Sequence, residues 1–126
     1  MDKIRRLTRI HYLALGMVVV LVIGCLIGVL VIRERHSFST EKWLSDPGNR
    51  TRIVDDLLAE HELIGMTASE VLELLGSHDN DSGYFQQEGR LVYWMGPERG
   101  LMSIDSEWLI LDCPDGIVTA WQITTD

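Results

Sequence analysis

Apolar and polar positions divide this chain into three stretches of different period. From Tyr12 to Ile32 it reads YLALGMVVVLVIGCLIGVLVI, 21 residues without a charged side chain. At about 1.5 Å of rise per residue, a helix of that length covers roughly 30 Å, the hydrocarbon thickness of a bilayer. Residues 33–49 are mostly polar, with Asp46-Pro47-Gly48 as a turn signal and Trp43-Leu44 as the one sizeable apolar pair. From there to the end the pattern first has helical and then strand spacing.

Ile53, Val54, Leu57, Leu58 and His61 recur at helical intervals and predict a helix over about Arg50 to Glu62. A second, short helix follows. Thr67 and Glu70 have the spacing of a capping box, Val71, Leu72, Leu74 and Leu75 give it an apolar stripe, and Gly76 is placed to end it. Beyond the polar loop Ser77–Gly83, strand-like runs appear at Tyr84-Phe85, Arg90 to Met95, Glu107 to Cys113 and Ile117 to Thr124, with Pro114-Asp115-Gly116 predicting a hairpin between the last two. Alternation sets Leu109, Leu111 and Cys113 on one face against Trp108 and Ile110 on the other, without choosing which face meets the helices. Helices followed by strands indicate an α+β class, a small antiparallel meander of three or four strands covered by two helices. The expected organisation is a basic flank at 1–11, a transmembrane helix at 12–32, a juxtamembrane linker at 33–49 and a domain at 50–126.

Charge sharpens this division. Residues 1–36 carry six basic and two acidic groups, and residues 37–126 carry five and seventeen, formal charges of +4 and −12 within a total of −8. A domain that acidic repels phosphate backbones, which argues against nucleic acid as a partner. Lys3, Arg5, Arg6 and Arg9 precede the apolar stretch and only Arg33 and Arg35 follow it closely. The positive-inside bias therefore predicts a single-pass protein of the cell (inner) membrane, with its N-terminus in the cytoplasm and its domain outside. A second reading rests on Val22-Ile23-Gly24-Cys25, which resembles a bacterial lipobox and would make Cys25 a lipidation site. Against it, seven apolar residues follow Cys25 where a polar tether is expected. Gly24 and Gly28 are four apart and fit a helix–helix face, although glycine is common in such helices anyway. Cys25 and Cys113 lie too far apart in character to form a disulfide framework.

Candidate chemistry is sparse. His61 and His78 lack zinc-site spacing. Asp79-Asn80-Asp81-Ser82-Gly83 begins like a calcium loop but lacks the required glycine and has Arg90 at the twelfth position. Asn49-Arg50-Thr51 and Asn80-Asp81-Ser82 match the glycosylation pattern by chance. Asp105 and Glu107 mark a turn and strand entry rather than paired catalytic carboxylates. A hydrolase or thiol enzyme would have to draw on His78, Asp105 or Cys113, and no nucleophile elbow or phosphate loop supports one. The expectation is a chain with no catalytic residues, no cofactor, no metal and no small-molecule ligand, whose charged loop Gly96-Pro97-Glu98-Arg99-Gly100 offers Glu98 and Arg99 as contacts for a protein partner.

Residues 50–124 resemble the SmpA/OmlA domain, the BamE-like fold of small bacterial envelope lipoproteins. The resemblance rests on Leu63-Ile64-Gly65-Met66-Thr67, on Glu70-Val71 to Leu74-Leu75-Gly76, on Tyr93-Trp94-Met95-Gly96, on Ile104 to Leu111, and on Asp115-Gly116-Ile117-Val118. It implies an ααβββ domain that binds and does not catalyse, since members include an accessory subunit of outer-membrane barrel assembly and inhibitors of β-lactamase; the expected role is an accessory factor in envelope or outer-membrane assembly, with an inhibitor-like binder of a secreted hydrolase as the alternative. The chain departs from the family at Ser77-His78, where members often carry proline, and in having what looks like a full membrane span instead of a lipidated cysteine with a polar tether.

Overall fold

A computed structural model describes residues 1–79 and 83–126, which fall into two compact units, Met1–Arg35 and His36–Asp126. The first unit is one helix, α1 (Asp2–His36). No proline interrupts it, and every large apolar side chain from Tyr12 to Ile32 that meets solvent does so along the whole stretch, between 45% and 75% exposed. Such a surface is long and apolar enough to cross a membrane, and a signal sequence near an N-terminus has the same properties. At about 1.5 Å per residue α1 is roughly 52 Å long, so helix continues through the basic flank that the sequence separates from it.

The second unit is α+β. It contains α2 (Thr40–Ser45), a 3-10 turn at Pro47–Arg52, α3 (Val54–Glu60), α4 (Ala68–Leu75), a 3-10 turn at Gly83–Phe85, and the strands β1 (Arg90–Pro97), β2 (Ser106–Asp112) and β3 (Ala120–Thr125). The strands form an antiparallel sheet in the order β1-β2-β3. Leu91 faces Leu111 and Tyr93 faces Leu109 across the first pair, while Leu111 faces Trp121 and Leu109 faces Ile123 across the second. The face carrying Leu91, Tyr93, Leu109, Leu111 and Cys113 meets Trp43, Ile53, Val54, Leu57, Leu63, Val71 and Leu75 in one core. This settles which side of the sheet the helices cover.

The segment 33–49, read as a linker, is folded. Ser39 caps α2 by accepting the Lys42 N–H, and Trp43 is wholly buried, its ring 6.1 Å from that of Tyr93. A tryptophan buried to that extent contributes about 3–5 kcal/mol, too much for a tether. The expected helix over Arg50–Glu62 is also shorter. Its first part is the tight turn Pro47–Arg52, which directs Arg50 and Thr51 inward before α3 begins.

α4 starts as the capping box requires: Thr67 Oγ1 accepts the Glu70 N–H and Glu70 Oε2 accepts the Thr67 N–H at 2.7 Å. Tyr84-Phe85 is not a strand but part of a 3-10 turn, which sets the Phe85 ring 5.8 Å from Trp108 on the sheet face away from the helices. Pro114-Asp115-Gly116 does turn, with the Gly116 N–H on the Cys113 carbonyl, yet β2 and β3 pair only from Asp112 and Ala120 onward. Between them the chain leaves the hairpin to bond elsewhere. Val118 donates to Met66, Gly65 donates to Val118 and Ala68 donates to Gly116, each at 2.8 Å. Val118 is thereby buried while Ile117 remains 48% exposed.

Candidate functional site

The loop joining β1 to β2, residues 98–105, is the part of the domain least like an ordinary connection. Its entry is shaped by a bulge in β1, where the register slips between Trp94 and Gly96 so that Gly96 pairs with Glu107 and Pro97 with Ser106. Gly96 has φ +111, and the backbone of Gly48 occupies the space a Cβ would take. Only glycine permits both the dihedral and the approach.

Past the bulge the loop is held by one guanidinium. Arg99 Nη2 donates to Glu107 Oε1 at 2.7 Å, Nε donates to both oxygens of the same carboxylate, and Nη1 donates to Asp55 Oδ2 at 2.8 Å. The Arg99 backbone N–H also donates to Glu107 Oε2 at 3.2 Å. Glu107 is 5% exposed and Arg99 caps it from the solvent side. These hydrogen bonds, followed by the charges of Glu107 and Asp55, raise the Arg99 guanidinium above its ordinary value against the opposing effect of burial. The Glu98 N–H donates to the Asp105 carbonyl at 2.9 Å and closes the neck of the loop.

Beyond this neck lie Leu101, Met102 and Ile104, which are 106%, 75% and 80% exposed. Among the described residues of the second unit no other large apolar side chain is as open, and no charge separates these three. Above the Arg99–Glu107 base the loop therefore presents three apolar side chains to water.

Of the two contacts expected in this loop, Glu98 lines an open recess with Arg99, Glu107 and residues 123–125. Arg99, partly open to water, is engaged by Glu107 and Asp55 and acts on the loop's shape. In the sequence the charges of this loop stand out and its apolar tip does not. The available signal was Gly100-Leu101-Met102, an apolar pair placed directly after a charged turn.

The other candidates are dispersed. Asp105 and Cys113 flank opposite ends of β2, and a strand rising about 3.3 Å per residue holds their backbones roughly 25 Å apart. Cys113 is buried in the core, and burial, with the nearby Asp112, pushes its thiol up. His61 meets the Phe38 ring edge to face at 5.4 Å. Asp79 donates its backbone N–H to the Val92 carbonyl and accepts the Trp94 N–H on Oδ2, both at 2.7 Å, so it serves the edge of β1. Gly83, which ends the calcium-like sequence, begins the 3-10 turn, while residues 80–82, which include the second glycosylation-like triplet, lie outside the described residues. Among the described residues, no three His, Cys, Asp or Glu side chains come together as a group able to hold a metal. Cys25 is exposed on α1, with helix continuing past it to His36. Set against family models, curated proteins and solved structures, the chain matches none of them.

Proposed function

We propose that this is a membrane-anchored, non-catalytic envelope protein whose small domain, outside the membrane from a cytoplasmic N-terminus, binds another protein as an accessory factor of envelope assembly. The observation that carries this reading is the loop tip of Leu101, Met102 and Ile104 on its Arg99–Glu107 base. Three apolar side chains held in water by a closed neck lose little freedom on docking, which favours a protein surface as their partner. The resemblance of residues 50–124 to the SmpA/OmlA domain supports the same class of function, and the order of α3, α4 and three strands is compatible with it. The anchor is read as the intact α1. The alternative is a chain cut before Cys25 and lipidated there, which would leave Leu26 to Ile32 as an apolar tail on the new end.

A photoreactive residue replacing Met102 in the full-length protein, activated in membranes of cells that make it, tests the reading. The expected result is one protein crosslinked through position 102 and none through Asp115, an exposed site in a different loop. Equal labelling from both positions, or none from either, would count against it. The triple replacement of Leu101, Met102 and Ile104 by serine should abolish capture while altering stability by no more than about 0.5 kcal/mol, because the three touch little within the domain. Mass measurement of the membrane-extracted chain distinguishes an intact Met1 end from a lipidated Cys25 end.

A further inference from the structure

The two edges of the sheet are treated differently. Along β1 the edge is closed: Asp79 takes up the Val92 carbonyl and the Trp94 N–H, and the turn at Pro47–Arg52 lies so close that Gly48 and Gly96 meet backbone to backbone. Along β3 nothing among the described residues pairs with the outer edge. That strand, Ala120-Trp121-Gln122-Ile123-Thr124-Thr125, has no charge, proline or glycine, and its pairing with β2 runs without a bulge. These are the devices by which sheet proteins keep edges apart, and β3 has none of them.

We propose that the occupant of this edge is a second copy of the same chain, its β3 lying antiparallel to the first so that two three-stranded sheets become one. The Asp126 N–H donates to the Ser106 carbonyl. In an antiparallel ladder the inward-bonding residues alternate, so 124, 122 and 120 also turn their backbone groups toward β2, and Trp121, Ile123 and Thr125 turn theirs outward. Two such edges fit with Ile123 opposite Ile123. In that register Trp121 lies across from Thr125 and Gln122 across from Thr124, larger side chains against smaller ones. A two-fold axis through the seam satisfies both copies with one patch.

The uncharged seam permits a second copy, and tethering favours one. The sequence 37–126 carries −12, so two copies repel through most of their surfaces and approach most easily where no charge lies. A membrane-spanning α1 confines copies to one surface and raises their concentration relative to one another. On α1, Gly24 and Gly28 have nothing within 4 Å of a Cβ position, which leaves room for helices to pass closely. The inference rests on α1 as a retained span but not on the protein partner proposed for the β1–β2 loop.

The test uses the full-length protein reconstituted in lipid bilayers over a range of protein-to-lipid ratios, with single-molecule photobleaching to count copies. A dimer is expected, and the double variant Gln122→Lys, Thr125→Pro should require about a tenfold higher ratio or more for the same dimer fraction. Those positions are exposed, and unchanged melting of the variant separates lost pairing from lost folding. Lysine lowers the domain's negative charge, so association driven only by charge would strengthen instead. In a background with Cys25→Ala, Ile123→Cys should form an intermolecular disulfide under oxidation and Asp115→Cys should not. Amide exchange at 121, 123 and 125 should be slow in the dimer and fast at one copy per nanodisc. A monomer at every ratio overturns the proposal. So does a dimer that survives the edge variant and is lost only with Gly24→Leu, since it would then be held by α1 alone. Protection of the β3 amides by a different protein also overturns it.

Discussion

Arg50 donates its Nε–H to the carbonyl oxygen of Trp43 at 2.8 Å and lies over the ring of the same residue, 4.8 Å from its centre. Its Nη1 reaches across to the Trp94 carbonyl at 2.9 Å, so one side chain joins the first helix of the domain to β1. Burial pushes the guanidinium below its ordinary value, with the Asp79 carboxylate foremost in opposing it. Arg50→Ala would leave two carbonyls without a charged donor and an indole without its cation. The expected loss is about 2–4 kcal/mol, read by denaturation of the full chain in detergent, and Arg50→Lys should recover part of it.

Arg99 and Glu107 predict a different balance. Glu107 is the buried partner and Arg99 is partly open to water. Arg99→Ala should destabilise the domain by about 1–3 kcal/mol, since a carboxylate loses its donors where water reaches it only in part. Proteolysis should show the more direct effect, with faster cleavage between residues 98 and 105. Glu107→Gln should loosen the loop less, because an amide oxygen still accepts from Arg99.

Gly96 is a sharper case. Its φ of +111 and the close backbone of Gly48 exclude any side chain. Gly96→Ala should cost about 3 kcal/mol or more and lower the melting temperature by about 15 °C. At Gly65, which also has positive φ but nothing within 4 Å, alanine should cost less. Parallel melts of the two variants separate crowding from backbone strain.

The cap of α4 gives a pH prediction. The Thr67 N–H and hydroxyl hold the Glu70 carboxyl below its ordinary 4.5. A carboxyl lowered in the folded state stabilises fully above its unfolded value and loses that contribution as pH falls through the folded one. Acidification below about pH 4.5 should therefore weaken the wild type more than Glu70→Gln. Thr67→Ala should remove about 1 kcal/mol at neutral pH and return the Glu70 titration, followed by NMR, toward its ordinary value.

The legible parts of this chain were those whose signals are local. Thr67 and Glu70 are three residues apart and their bonds follow from that spacing. The runs around Val92, Ile110 and Ile123 alternate visibly, and each forms a strand. The readings that changed depend on distant partners. Trp43 is apolar enough to suggest packing on the domain from its polar segment, but the Tyr93 ring that it meets is fifty positions away. Asp79 sits in a polar loop, and nothing nearby in sequence reveals that its carboxylate replaces a neighbouring strand for Trp94. Tyr84-Phe85 had the composition of a strand, but Phe85 packs against Trp108 from a turn. At the candidate site, charge drew notice to Glu98 and Arg99, whereas Leu101 and Met102 stand out only once their exposure is known.

The hydrogen bonds between residues 65–68 and 116–118 also bear on the order of folding. Thr67, which starts α4, bridges Ile117 across roughly fifty positions of chain, a separation that slows closure. During synthesis α4 can form its own first turn early, but its N-terminus cannot be fixed in place until residue 118 has left the ribosome. Until then Leu63, which shares its core with Val118, remains without that neighbour, and the nascent domain depends on whatever shields its apolar surface.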